Sequence, residues 1–154
     1  MLLLFVLILP NIISAHCEIP CGIYADKMRI DMIKEHITTI EKSMKQITEL
    51  EKGNPVNYNQ LVRWINNKED HANKIQDIVS QYFMTQRIKI VEESDKVSIE
   101  KYQKELSLLH NMLIYAMKTK QTTNLMHCEK LLELVEDFYN IYFTEEQKSH
   151  HHNN

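Results

Sequence analysis

The stretch Asp26–Lys52, DKMRIDMIKEHITTIEKSMKQITELEK, places Ile33, Ile37, Ile40, Met44 and Ile47 at spacings that alternate between four and three. Side chains so spaced share one face of an α-helix, while the polar residues between them cover the other. The next position in the series is Glu51, so the apolar face ends a turn before Gly53-Asn54-Pro55, which stops the helix. Asp26 stands where a side chain can cap the first turn. An amphipathic helix must bury its stripe against something, and the chain downstream supplies three more stripes of the same period.

A second helix is expected from about Asn57 to Met84, with Leu61, Trp64 or Ile65, Lys68, Ala72, Ile75, Val79 and Tyr82 on its stripe and a polar interruption at 66–71. A connection follows at about 85–97, where Ile88 and Ile90 alternate with Lys89, too short a run to make a sheet. The third helix, about Ser98–Lys120, carries Ile99, Tyr102, Leu106, Leu109, Leu113 and Ala116. The fourth, about Thr122–Phe143, carries Leu125, Cys128, Leu132, Val135, Tyr139 and Tyr142, widened by Leu131 and Phe138. Four such stripes with mostly short connections predict an all-α fold, an antiparallel up-down four-helix bundle over 25–146, with 147–154 a disordered polar tail. Ile30, Met32, Leu108, Met112, Leu134 and Ile141 lie off the main seams. They mark either a wide core face or a surface that meets other subunits.

Composition agrees with one helical domain. Two glycines and three prolines among 154 residues disfavour a sheet with many tight turns. Eighteen basic and 21 acidic side chains, a net charge of -3, form no block of one sign, so no nucleic-acid footprint is present.

Upstream, residues 1–15 (MLLLFVLILPNIISA) have an apolar run at 2–9, then Pro10, then a small-residue end at Ser14-Ala15. This reads as a signal peptide or cleaved leader, since crossing a bilayer takes about 20 apolar residues. The absence of Lys and Arg before the apolar run leaves a pro-segment removed by a dedicated protease, or a retained anchor, as alternatives. Cleavage after Ala15 leaves no stable membrane association. It also makes His16 the new N-terminus.

Residues 16–24, His16-Cys17-Glu18-Ile19-Pro20-Cys21-Gly22-Ile23-Tyr24, then form a hook rich in donors. A Cys17–Cys21 disulfide is the plain reading for an exported chain, but it closes only a tiny loop. Two soft thiolates instead disfavour Ca, Mg and Mn and leave Zn, Cu, Ni or Fe. The His16 α-amine and Cys17 amide nitrogen form a flat chelate that the Cys17 sulfur extends, and Pro20 turns the chain so that Cys21 can supply the fourth corner. A planar N2S2 set suits Ni(II), whereas Zn prefers a tetrahedron. The His16 imidazole is left to bind above the plane. Cys128, on an apolar stripe, reads as a small buried hydrophobe.

The pattern HCxxPCGxY at a new N-terminus ahead of a four-helix bundle resembles the nickel-containing superoxide dismutases, with further likeness in EHITTIEKSM and the Leu61–Tyr82 helix. The resemblance implies an enzyme that disproportionates superoxide to dioxygen and hydrogen peroxide by Ni(II)/Ni(III) cycling. One Ni per subunit would be held by His16, Cys17 and Cys21. It implies a catalytic role for Tyr24, ordering small anions and water beside the vacant axial side. Asp31 resembles the carboxylate that hydrogen-bonds the axial imidazole, His71 stands where an arginine is common, and Tyr82 resembles a second tyrosine near the site. Further implications are a homohexamer, a nickel-loading factor and a leader protease. The compartment would be periplasmic or extracellular if the leader is a signal peptide, and cytoplasmic if it is a pro-segment. The competing readings are a secreted helical-bundle signalling or adaptor protein without a metal, and a thiol-disulfide enzyme. The latter normally spaces its cysteines as CxxC, unlike Cys17 and Cys21.

Overall fold

The computed structural model describes residues 24–91 and 95–144. The leader, the hook positions 16–23 and the tail from 145 lie outside the described residues. Within them the chain forms α1 (Asp26–Leu50), α2 (Tyr58–Asp77), a π-helical segment (Ile78–Arg87) continuing α2, α3 (Lys96–Gln121) and α4 (Met126–Tyr142), with no strand. Each helix packs on its neighbour in sequence and α4 closes back on α1, which makes the expected four-helix bundle. No helix among the described residues is long and apolar enough to cross a membrane.

The predicted stripe of α1 is the buried one. Ile33, Ile40 and Met44 are fully enclosed, and Ile37 and Ile47 nearly so. The off-seam residues Ile30, Leu108, Met112 and Leu134 are also buried, while Met32 and Ile141 pack against the core, so the surplus widens the core face. Two seams are rotated from expectation. In α3, Leu108, Leu109, Met112 and Ala116 face inward, with Tyr102, Leu106 and Leu113 flanking them. In α4 the seam is Cys128, Leu131, Leu134, Val135 and Phe138, and Leu132 is exposed. In α2, Trp64 is half-buried and Ile65 exposed.

Local hydrogen bonding moves the helix ends. Asp95 accepts from the Val97 and Ser98 amides (3.1 and 3.3 Å), which starts α3 at Lys96 instead of Ser98. Thr122 and Asn124 accept from the amides of Asn124 and Met126 (2.9 and 3.0 Å), so they build a turn and α4 begins later than Thr122. The end of α1 tightens, with Lys52 and Gly53 amides bonded to the Glu49 and Leu50 carbonyls. A Cβ at Gly53 would lie 3.2 Å from the Leu50 oxygen, which favours glycine there. Lys68, the polar member of the α2 stripe, is 4% exposed, and its ammonium donates to the Thr119 (2.8 Å) and Lys120 carbonyls. It thereby caps the last turn of α3 from a neighbouring helix.

The largest departure from expectation is the segment 78–87. Helical structure continues through Arg87, where a connection was expected from 85, and it widens to i→i+5 bonding, as in Ile88 N–H to Phe83 O at 2.9 Å. On a regular α-helix, side chains five apart diverge by about 140° at 100° per residue. The widened turn narrows that divergence and aims Tyr82 and Arg87 at the same carboxylate.

Candidate metal centre

His16, Cys17 and Cys21 lie outside the described residues. The first residue after the hook that the structure describes is Tyr24, 41% exposed, followed by the start of α1. Three chain segments meet at this end of the bundle, and Asp26 is their meeting point. Its carboxylate accepts from Arg87 through Nε (2.8 Å) and Nη2 (2.6 Å), from the Tyr82 hydroxyl (2.6 Å) and from the Tyr142 hydroxyl (2.8 Å). Asp26 was expected to cap α1. The N-cap is Ala25, with no side-chain cap bond, because the Asp26 carboxylate is committed to the tertiary cluster.

Electrostatics follow from these bonds. Burial alone would raise the Asp26 pKa, but the bonds from Arg87, Tyr82 and Tyr142 together outweigh it and hold the carboxyl below its ordinary 3.8. The same bond raises the Arg87 pKa. Burial, then the bond to Asp26, pushes Tyr82 up to about 12 and raises Tyr142 as well. A depressed carboxylate contributes stability that is complete above 3.8 and is lost as pH falls through the folded value.

Arg87 also lies over the Tyr24 ring, 4.1 Å from guanidinium carbon to centroid, and the Tyr24 and Tyr82 rings meet edge-on at 6.0 Å. The Tyr82 hydroxyl accepts from the Ala25 amide at 2.8 Å while donating to Asp26. Behind these groups, Phe83, Phe138, Tyr142 and Phe143 form a continuous aromatic stack. Tyr24, Ala25, Asp26, Lys27, Arg87 and Phe143 line an open cleft of about 400 Å³.

The structure brings Tyr24 and Tyr82 together and places Asp31 and His71 elsewhere. Asp31 is an exposed residue of α1 whose ion pair is with Lys27 at 2.7 Å, one turn earlier. His71 on α2 faces His36 on α1, with Nδ1 to Nδ1 at 3.1 Å and the rings nearly perpendicular. One of these nitrogens must carry the proton and the other a lone pair, so the bond survives only while at least one of the two rings is neutral. Burial, followed by the neighbouring positive charges of the pair and Lys74, lowers the His36 pKa. Burial and then Lys74 lower that of His71. A His depressed by folding contributes full stability above its ordinary 6.5 and loses it as pH falls below that value. Urea unfolding from pH 7.5 to 5 should therefore show stability declining on acidification, with a shallower decline in His36→Gln. Identical slopes would remove the pair from the cause.

Among the described residues no group of three or more His, Cys, Asp or Glu side chains is arranged to hold a metal. Cys128 is 2% exposed, its sulfur lies 3.8 Å from Met44 Sδ, and burial, reinforced by Glu41 and Glu129, pushes its thiol up to about 11. At neutral pH it is a thiol within an apolar core and offers a metal nothing. The amine, amide and paired thiolates expected to suit nickel belong to the hook, at positions outside the described residues.

Sequence reasoning missed Arg87 and Tyr142 as members of this region, and singled out Asp26 chiefly as a helix cap. A faint signal existed in the aromatic density at Tyr82-Phe83 and Phe138–Phe143. Nothing marked Arg87.

Comparison with curated proteins and with solved structures gives no significant match. Comparison with protein-family models matches residues 11–146 to the family described as nickel-containing superoxide dismutase. That span holds the whole hook and all four helices. The chain belongs to the nickel-containing superoxide dismutase family, and its cofactor is nickel.

Proposed function

We propose that the mature chain dismutes superoxide at one nickel ion, which the His16 α-amine and imidazole, the Cys17 amide nitrogen and the Cys17 and Cys21 thiolates would hold. The observation that carries this reading is the family match over a span that includes HCEIPCGIY at 16–24. The chemistry supplied by bound nickel is one-electron cycling between Ni(II) and Ni(III), by which two superoxide anions and two protons become dioxygen and hydrogen peroxide.

The chain's part is to set the potential and the surroundings. Anionic thiolate and amidate donors from Cys17 and Cys21 favour the higher oxidation state and bring the couple down to where superoxide can both give and take an electron. The Tyr24 hydroxyl makes no hydrogen bond among the described residues, so it is the group available to order a small anion or water. Asp26 neutralises Arg87 by a bidentate pair, which leaves the guanidinium to hold the Tyr24 ring instead of binding substrate.

Removal of Met1–Ala15 creates the amine donor, whether an export signal peptidase or a dedicated protease makes the cut, and a loading factor supplies nickel. A homohexamer is supported by apolar side chains left uncovered on the single chain, among them Met28 (50% exposed) beside the cleft and Tyr58 and Val62 on α2.

The test is direct. Active protein should carry one nickel per chain, dismute superoxide and give His16 in N-terminal sequencing. Chain retaining Ala15 should have the same helical content, little nickel and no activity. An active form with Ala15 in place would overturn the amine ligand. A mature chain that dismutes superoxide without nickel would overturn the reading as a whole.

A further inference from the structure

We propose that Asp26 is the positioning residue of the metal centre, holding Tyr24 at the hook's exit through Arg87 and holding Ala25 through Tyr82. The proposal rests on the nickel dismutase reading and adds residues to it. Tyr24 follows the last thiolate donor by three positions and Asp26 follows Tyr24 by two. Whatever fixes residues 24–26 fixes the point from which the hook departs.

The geometry gives each group one job. A carboxylate accepts at two oxygens, and here each oxygen takes one arm of Arg87 and one tyrosine hydroxyl. Charge-assisted bonds of this fork type are the strong and directional ones. With both arms engaged, the guanidinium plane is fixed, and its free face lies on the Tyr24 ring at 4.1 Å. The Tyr82 hydroxyl gives its proton to Asp26 and receives the Ala25 amide, so it braces the backbone and has no proton to offer a reaction. The two tyrosines of the site thus divide the work. Tyr82 is the brace, and Tyr24 is the one whose hydroxyl makes no hydrogen bond among the described residues. Asp26 itself, with 15% of its side chain exposed, faces the cluster and acts only through the others.

Asp26→Asn separates this role from a purely structural one. An amide has one acceptor oxygen where the carboxylate has two, and it carries no charge for Arg87, so the fork opens and the guanidinium is released. The first readout uses nickel-free mature protein with 3-fluorotyrosine at position 24. Its ¹⁹F resonance should move in Asp26→Asn toward that of a free, solvated fluorotyrosine. The second is turnover per bound nickel, expected to fall about tenfold while nickel content and helical content stay unchanged. Met44→Ala, about 27 Å further along α1 at 1.5 Å per residue, serves as the destabilised control and should leave both readouts in place. Should Asp26→Asn fail to fold, Arg87→Gln is read the same way, since it keeps the carboxylate and removes the cation from the Tyr24 ring.

An unmoved resonance would overturn the proposal, as would a moved resonance with unchanged turnover per nickel. So would an equal loss in Met44→Ala, which would make stability the cause. A mature wild-type protein without nickel or activity would sink the dismutase reading instead. That outcome is distinct because the fluorine readout needs no metal.

Discussion

Cys17→Ser and Cys21→Ser are each expected to abolish bound nickel and dismutase activity while leaving the helical circular dichroism intact, and Cys128→Ser to cost stability while sparing nickel and activity. The first two changes replace a soft donor that ionises near neutrality with a hydroxyl that stays protonated. No helix depends on either residue, since α1 starts at Asp26 and its stripe is buried against α2 and α4. Cys128 sits in the core beside Met44, and burial keeps its thiol protonated up to about 11. Serine there buries a hydroxyl where an apolar sulfur was, at a cost of about 1–3 kcal/mol. Metal analysis and urea unfolding on the three variants decide the matter. Nickel lost from Cys128→Ser and kept in Cys17→Ser would reverse the assignment.

What the sequence revealed and what it hid divide along a physical line. The family was legible because HCxxPCGxY gathers its distinctive residues into nine neighbouring positions, so one short stretch carries the resemblance. The helices were legible because Ile33 through Ile47 and their counterparts repeat at the helical period. The Asp26 cluster was hidden because it is built by the fold. Its contacts join residues 56, 61 and 116 positions apart, and no local pattern records such a meeting. Asp26 looked like a cap because position predicts capping, but three donors from other segments compete for its carboxylate and win. The π-helical widening was hidden for a related reason. It changes which face Arg87 occupies without altering the apolar pattern up to Tyr82, so a period of 3.6 gave no warning. Asp31 and His71 were singled out by resemblance, and the structure places them beside Lys27 and His36.

Phe83→Ala should be the most destabilising single truncation in the chain, lowering unfolding free energy by about 3–5 kcal/mol out of the 5–15 kcal/mol typical of a domain. Phe83 is fully buried, and its ring meets Tyr82, Phe138 and Tyr142 edge-on at centroid distances of 5.1, 5.1 and 5.7 Å. Each such contact is worth about 0.5–1.5 kcal/mol beyond the area it buries. Two of these neighbours, Tyr82 and Tyr142, are also the hydroxyl donors to Asp26. Removing the ring therefore opens a cavity behind the cluster and lets both tyrosines tilt away from the carboxylate. The loss should exceed that of a residue equally buried but remote from the cluster, such as Leu109→Ala. Phe83→Leu, which refills most of the volume but loses the three ring contacts, should cost less than the alanine change. A double-mutant cycle between Phe83→Ala and Tyr142→Phe should return a coupling of at least 0.5 kcal/mol, since the two side chains share a packing surface and a hydrogen-bond cluster. Additive losses in nickel-free protein would mean that the aromatic stack and the carboxylate cluster are independent, and that the end of the bundle that carries Tyr24 is held by packing alone.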